Sequence, residues 1–502
     1  MGDVQRVEIV VPATGGKRST SALGRAVVAD ALAGPDPVGS RAVSRETDWR
    51  RGYGAHFVRL VEAGLQSQEA AVDIAQHGLE SLHARMRATV RKDAVANEST
   101  APTAEGDTDD EIPLKEVFAI PRGGSDLQTA TVQGEREPER ELTIPFRGDR
   151  LKGASLDRQL DSWVERGSME PSAAKAIREV AANPDWLAMP GRRLVVLGAS
   201  AEMGPLRAAL RWGVEAIAMD LPKPAVWREI IDIARDSAGT LHLPVGADSS
   251  QIADHAGADL LSNLPGVASW LRQFDGQLVL GNYVYADGAT NLRVSSAVDA
   301  LTAHLLNDRD DVALAFLATP TDVFAVPTEV VEFSKKAYEN RKLRYVRPIA
   351  RAVSAGRLLR RNYAPGPAPG INDSIVVQQG PNYILAKRLQ RWRATAACRA
   401  GVEVSLNVAP PTRTRSVLKN RALAAAYAGA HRFGVEVFAP STSNTLMAAL
   451  LIHDLYSGTP SPQDPWRAEA DNAVHGGLWR GPYSPRSALG IAAALGIGSA
   501  RT

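Results

Sequence analysis

Hydrophobic residues recur along this chain with two different periods. From Asp48 to about Val90, Phe57, Leu60, Val61, Leu65, Ala70, Ile74, Leu79, Leu82 and Met86 fall at helical spacing. That pattern predicts one long helix or a helical hairpin with weak points at Gly54, Gly64 and Gly78. Ala154 to about Pro184 is also helical, with Leu156, Leu160, Trp163 and Val164 on one face. At Arg192 the pattern changes to short, continuous apolar runs. Leu194–Leu197, Ala216–Met219, Thr240–Val245, Asp259–Ser262, Gln277–Leu280, Val312–Ala318, Val402–Val408 and Val435–Phe438 are separated by helical stretches. Strands that are apolar on both faces and alternate with helices predict βαβ units and an α/β fold with a doubly wound parallel sheet.

These changes divide the chain into five parts. Residues 1–95 form a mostly helical region, opened by a short strand at Val7–Pro12. Residues 96–113 are rich in Thr, Glu, Asp and Gly and read as a flexible acidic linker. Residues 114–190 form an α+β segment that includes strand-like Glu141–Phe146. Residues 191–460 form the α/β unit, with an insertion at about 320–373, and 461–502 is a tail expected to pack on it.

Composition narrows the class of protein. With 44% hydrophobic and 23% charged residues, the 502-residue chain suits a globular protein of more than one domain. Lys and Arg total 58 against 56 Asp and Glu, a formal +2, which gives no bulk reason to expect a nucleic-acid partner. The single cysteine, Cys398, excludes an intrachain disulfide and any cysteine-based metal cluster. The histidines show no ligand spacing, so no metal is expected. The longest apolar runs, Ala422–Ala430 and Thr445–Ile452, fall short of the roughly 20 residues a spanning helix needs. No signal-peptide or myristoylation pattern opens the chain, and the expectation is a cytoplasmic protein without a membrane span.

The candidate chemistry lies in the α/β unit. Leu194–Leu197 runs into a small-residue turn, Gly198-Ala199-Ser200-Ala201-Glu202-Met203-Gly204, before a helix. Backbone amides at such a helix start favour a phosphate. Asp220, 22 residues beyond Gly198 at the end of the second strand, stands where a carboxylate accepts hydrogen bonds from ribose hydroxyls. The same spacing also suits an S-adenosylmethionine site. A second element is Tyr383-Ile384-Leu385-Ala386-Lys387, which sets a phenol and an ammonium on one helix face ahead of the strand Val402–Val408. A fixed ammonium lowers the pKa of a nearby phenol and makes it a usable acid–base group. Tyr338–Lys342 matches the same spacing but reads as a charged helix face. Gly15-Gly16-Lys17-Arg18-Ser19 lacks the earlier glycine of a phosphate loop.

Taken in order, these motifs resemble the short-chain dehydrogenase/reductase superfamily across about half of the chain. Tyr383–Lys387 followed by Gly401–Pro410 is similar to its catalytic helix and next strand. Leu261-Ser262-Asn263-Leu264-Pro265-Gly266 is similar to its Asn-Asn-Ala-Gly strand end, and Asn291 falls where the family carries a helix Asn. The resemblance implies a Rossmann-type sheet and an NAD(P)-dependent oxidoreductase that interconverts a carbonyl and an alcohol, or reduces an enoyl group. In that reading Tyr383 is the general acid/base. Lys387 holds the nicotinamide ribose and depresses the Tyr383 pKa. Ser374, with Thr319 as alternative, orients the substrate, and Asn291 supports the proton relay. Gly198, Ser200 and Gly204 line the pyrophosphate, Asp220 the adenosine ribose, Asn263 the cofactor, and Thr412 or Thr414 the carboxamide. An acid at Asp220 favours NAD, while Lys223 and Arg228 leave NADP open.

The sequence departs from the family at Glu202, where a glycine is usual, at Leu197, and in the spacing of Ser374 from Tyr383. The insertion is basic (Lys335, Lys336, Arg341, Lys342, Arg344, Arg347, Arg351, Arg357, Arg360, Arg361) and suggests a lid or a clamp for an acyl thioester's phosphate. Other expected partners are a small-molecule substrate and, through the N-terminal helices, a second copy of the chain. Two other readings stand beside the enzyme: an S-adenosylmethionine-dependent methyltransferase and a non-catalytic dinucleotide-binding protein.

Overall fold

The computed structural model describes residues 5–92, 110–120, 127–246, 251–340, 347–364, 366 and 369–498. Its centre is a seven-stranded sheet in the order Val404–Val408, Val312–Ala318, Gln277–Asn282, Arg192–Leu197, Glu215–Met219, Thr240–Val245 and Gln128–Gln133. The first six in that order pair in parallel, and Gln128–Gln133 adds an antiparallel edge. Numbered along the chain from Arg192, the parallel strands lie in the order 6-5-4-1-2-3. The fold is therefore mixed α/β around a mostly parallel sheet.

Both faces of this sheet are buried, which is why its strands read as unbroken apolar runs. Leu194, Val196, Ala216, Ala218, Leu241 and Leu243 pack against the helices Leu206–Arg211 and Pro224–Arg235. Val195, Leu197, Ile217, Met219, Leu278, Leu280, Leu314 and Phe316 face the helices Leu264–Leu271, Gly288–Asp308 and Gly380–Arg399. The connections thus change face after the third parallel strand. The chain therefore leaves the first and fourth strands towards opposite faces of the sheet, and such a reversal opens a crevice at their carboxyl ends.

The N-terminal region adds an outer layer over the second set of helices. It contains the helices Thr20–Leu32, Pro37–Ser44, Trp49–Gly64 and Gln68–Arg85, with a three-stranded antiparallel sheet of Gln5–Val10, Arg87–Lys92 and Asp110–Pro113. A Cβ at Gly78 would stand 2.4 Å from the Trp392 ring, so the Gln68–Arg85 helix sits directly on the Gly380–Arg399 helix. Buried Asp299 fastens the layers by pairing with His83 and Arg393. At the other end of the chain, buried Glu170 receives hydrogen bonds from Arg480 and His475, which holds the C-terminal segment against the body.

Several sequence expectations are corrected. Asp259–Ser262 is not a strand: Leu261 and Ser262 N–H bond back to Asp259, a turn that leads into the Leu264–Leu271 helix. Val435–Phe438 contributes only one bridge, Phe438 to Thr412. Residues 96–109 of the expected acidic linker lie outside the described residues, while Asp110–Pro113 is a strand. The insertion holds a strand pair, Val323–Val326 with Gly370–Asp373, and the helices Thr328–Asn340 and Arg347–Val353. Arg341, Lys342 and Arg344 lie outside the described residues. Among the described residues, no helix is long and apolar enough to cross a membrane.

Candidate functional site

A cleft of about 1230 Å³ runs over the carboxyl ends of the strands, from Ser200, Asp220 and Glu229 to Tyr383, Lys387 and Thr412. Gly198, Asn291, Thr319 and Asn282 also line it, and Arg50 brings in the N-terminal layer. Such crevices are where open α/β sheets place their ligands.

The glycine turn is shaped by its neighbours. Gly198 has φ +86°, and a Cβ there would lie 2.9 Å from the Tyr283 carbonyl oxygen, so this position requires glycine. Gly198→Ala is expected to lower stability by about 1–3 kcal/mol, read from the chemical-denaturation midpoint. Most amides of the turn already have partners, which leaves those of Glu202 and Met203 for an anion. Gly198 and Ala199 N–H both donate to Met219 O, at 2.8 and 3.0 Å. Ser200 N–H donates to Asp220 Oδ2 (2.7 Å), and Ala201 and Gly204 N–H close turns on Gly198 O and Ala201 O. Gly204 itself does not line the cleft. Glu202, at the position where the family has a glycine, accepts the Arg415 N–H at 2.7 Å and lies 3.5 Å from its guanidinium. It ties the turn to the segment that follows the sixth parallel strand.

Tyr383 and Lys387 stand on the cleft side of the Gly380–Arg399 helix, deeply set but open to the cleft. Burial pushes the Tyr383 phenol up to about 12, against the opposing pull of Thr319 and Gln379. The expected lowering by Lys387 is absent. Instead, the Lys387 ammonium is anchored at 3.1 Å to Leu317 O and at 3.1 Å to Gln390 Oε1. Burial brings its pKa down to about 8.

Thr319, at the end of the fifth parallel strand, is the hydroxyl that meets Tyr383. Thr319 bonds Thr321 Oγ1 at 2.8 Å, and Thr321 bonds Gln379 Oε1 at 2.9 Å. Thr319 and Gln379 both engage the Tyr383 phenol, and both oppose the rise that burial causes.

Two further sequence candidates, like Gly204, fall outside the cleft. Ser374 lies outside this cleft, its Oγ–H donating to Asn372 Oδ1 at 2.5 Å. Asn263 does not line the cleft and stands at the start of the Leu264–Leu271 helix, without a capping hydrogen bond from its side chain. The Asn at a strand end is Asn282, which closes the fourth parallel strand; its Oδ1 is buried without a hydrogen-bond partner and it lines the cleft. The signal was present in the sequence as an Asn at the end of the run Gln277–Leu280. Asn291 accepts the Ala286 N–H at 3.0 Å and so shapes the loop between them. The Thr412 hydroxyl is held between Pro410 O and Ser443 Oγ. None of the described basic residues of the insertion lines the cleft, and Arg361 stacks on Tyr338 instead. The described residues contain no group of three metal-binding side chains. Compared with models of known protein families, the chain matches none, and a comparison with curated proteins finds no match either.

Proposed function

We propose that this chain is an NAD(P)-dependent oxidoreductase of the short-chain dehydrogenase/reductase type, built on a Rossmann-type sheet, that reduces a carbonyl group. The observation that carries this reading is the meeting of Tyr383, Thr319 and Lys387 at the crevice where the strand order reverses. A strand order of 6-5-4-1-2-3 is that of the dinucleotide-binding fold.

The residues present fit a nicotinamide dinucleotide at one end of the cleft. Asn282 Oδ1 is a buried acceptor in need of a donor. Lys387 has three donors, of which Leu317 O and Gln390 take two, which leaves one for a ligand hydroxyl. At the other end the Ser200 hydroxyl, the Arg415 guanidinium and the Glu202 and Met203 amides would serve the phosphates, because the other amides of the turn have partners. Asp220 and Glu229 line that end and disfavour a further phosphate, so NAD is the expected form. When bound, the cofactor supplies the hydride.

The protein supplies the proton. A phenol raised to about 12 stays protonated throughout the neutral range, which suits the donor required for reduction better than the base required for oxidation. Thr319 fixes the phenol, and the carbonyl oxygen receives the Tyr383 proton. A methyltransferase reading gives Tyr383, Thr319 and Lys387 no work. The test is a screen of ketones and aldehydes with NADH and with NADPH, following loss of the reduced nicotinamide. Turnover with either supports the proposal; bound cofactor with no turnover on any carbonyl favours the non-catalytic alternative.

Lys387 gives a pH signature. Its folded pKa of about 8 lies below the ordinary 10.5, so between these values the unfolded chain binds a proton that the folded chain does not. Folding stability attributable to this group is full above about 10.5 and is lost as pH falls through about 8. The stability of the native protein relative to Lys387→Met is thus expected to rise from pH 8 to 10.5, as measured by denaturant titrations across that range. A flat difference would place the ammonium in a better-solvated setting.

A further inference from the structure

Behind the catalytic residues lies a second, smaller chamber of about 70 Å³, walled by apolar side chains that include Ile375, Val376, Phe433, Val435, Val437 and Leu489. It adjoins the main cleft, and Thr321, Pro411 and Tyr427 line both spaces. Since Thr321 bonds the Thr319 hydroxyl that meets Tyr383, the chamber opens beside the reacting position. We propose that the substrate is a carbonyl compound bearing a short, unbranched apolar arm of about three carbons, and that this arm fills the chamber. This assignment rests on the reduction reading above.

Three observations support it. The first is chemical. Three polar side chains at the chamber wall are turned to partners of their own: Ser374 to Asn372, Thr321 to Gln379, and Arg486 to Asp373 at 2.7 Å. A water needs two to four polar partners to be held, so an apolar group is the favoured occupant of such a space. The second is size. A dry cavity of about 150 Å³ takes up benzene, so a space near half of that holds about three carbons.

The third observation is rigidity. The chamber lies between the helix Arg421–Gly429, which carries Ala426 and precedes Ala430, and the helix Pro485–Gly496, which carries Ala488, Leu489 and Ala492. These two helices meet backbone to backbone. A Cβ on Gly429 would stand 2.0 Å from Ala492 O, and one on Gly496 would stand 2.0 Å from Ala425 O. Such contact leaves little room for the walls to part, so the space sets an upper limit on the arm.

The experiment measures kcat/KM for straight-chain methyl ketones with progressively longer alkyl arms, in the native protein, Leu489→Trp and Leu489→Ala. In the native protein kcat/KM is expected to rise about four-fold for each methylene that enters, about 60-fold over three, and then to level off or fall. Leu489→Trp fills the chamber and abolishes the rise while acetone reduction persists; Leu489→Ala moves the plateau to a longer arm. A steady rise with no plateau, or a series unaffected by either substitution, overturns the proposal. Xenon binding followed by NMR reads the chamber without catalysis, because dry apolar cavities take up xenon. Ketone reduction without xenon binding sinks the chamber alone. Xenon binding that Leu489→Trp abolishes, with no ketone reduced, leaves the chamber standing and overturns the substrate assignment together with the reduction reading.

Discussion

Tyr383→Phe is expected to lower kcat for carbonyl reduction by about 10²–10⁴-fold, the range for loss of a positioned proton donor, while leaving nicotinamide binding and the melting temperature near their native values. The substitution removes only the hydroxyl. The ring keeps its edge-to-face contact with Tyr285, at 6.2 Å between centroids, and the helix keeps its apolar face of Ile384, Leu385, Leu389 and Trp392. The lost atom is the one raised to about 12 by burial and turned towards Thr319. Rates of the native protein and the variant, measured on whichever carbonyl the screen identifies, decide the matter. Retained turnover would mean that another group gives up the proton.

Asp322→Asn is expected to cost about 3–5 kcal/mol of stability, because it removes one partner of a buried ion pair and leaves the other charges uncompensated. Asp322 is fully buried and receives Arg388 at 3.1 Å and Arg391 at 2.7 Å, both from the helix that carries Tyr383 and Lys387. Arg391 is itself buried and reaches on to Glu469. The main chain around Asp322 is part of the same clamp, since Ser374 N–H donates to its carbonyl oxygen and Val323 N–H to its carboxylate. Asp322 thus fixes the loop of Thr319 and Thr321 against the helix that carries Tyr383 and Lys387. The denaturation midpoint checks the stability. An unchanged midpoint would show that Glu469 alone balances the two arginines.

The parallel strands were legible because a sheet buried on both faces writes itself as runs such as Leu194–Leu197 and Val312–Ala318. The edge strand Gln128–Gln133 was not, since its sequence, QTATVQ, is mostly polar and mostly exposed. Asp259–Ser262 imitated a strand because its apolar residues serve a turn that packs on the same core as the strands do. Tyr383 and Lys387 could be picked out by their spacing on a helix, and both line the cleft. The hydroxyl partner was harder to choose. Ser374 is close to Tyr383 in sequence, but the strand pair Val323–Val326 with Gly370–Asp373 carries it away, whereas distant Thr319 ends a strand beside the phenol. Asn263 misled for a similar reason: its neighbours resemble a strand end, whereas the strand that follows the change of face ends at Asn282. The electrostatic outcome could not be read from spacing at all. Four residues on a helix bring an ammonium near a phenol, but Leu317 O and Gln390 decide where that ammonium points.

The central claim is a nicotinamide site at the crevice, and calorimetric titration of the purified chain with NADH, NADPH and S-adenosylmethionine tests it most directly. Binding of a reduced nicotinamide dinucleotide, NADH more tightly than NADPH, and weakened in Lys387→Met, is the predicted result. Binding of S-adenosylmethionine alone, or of none of the three, would contradict the account.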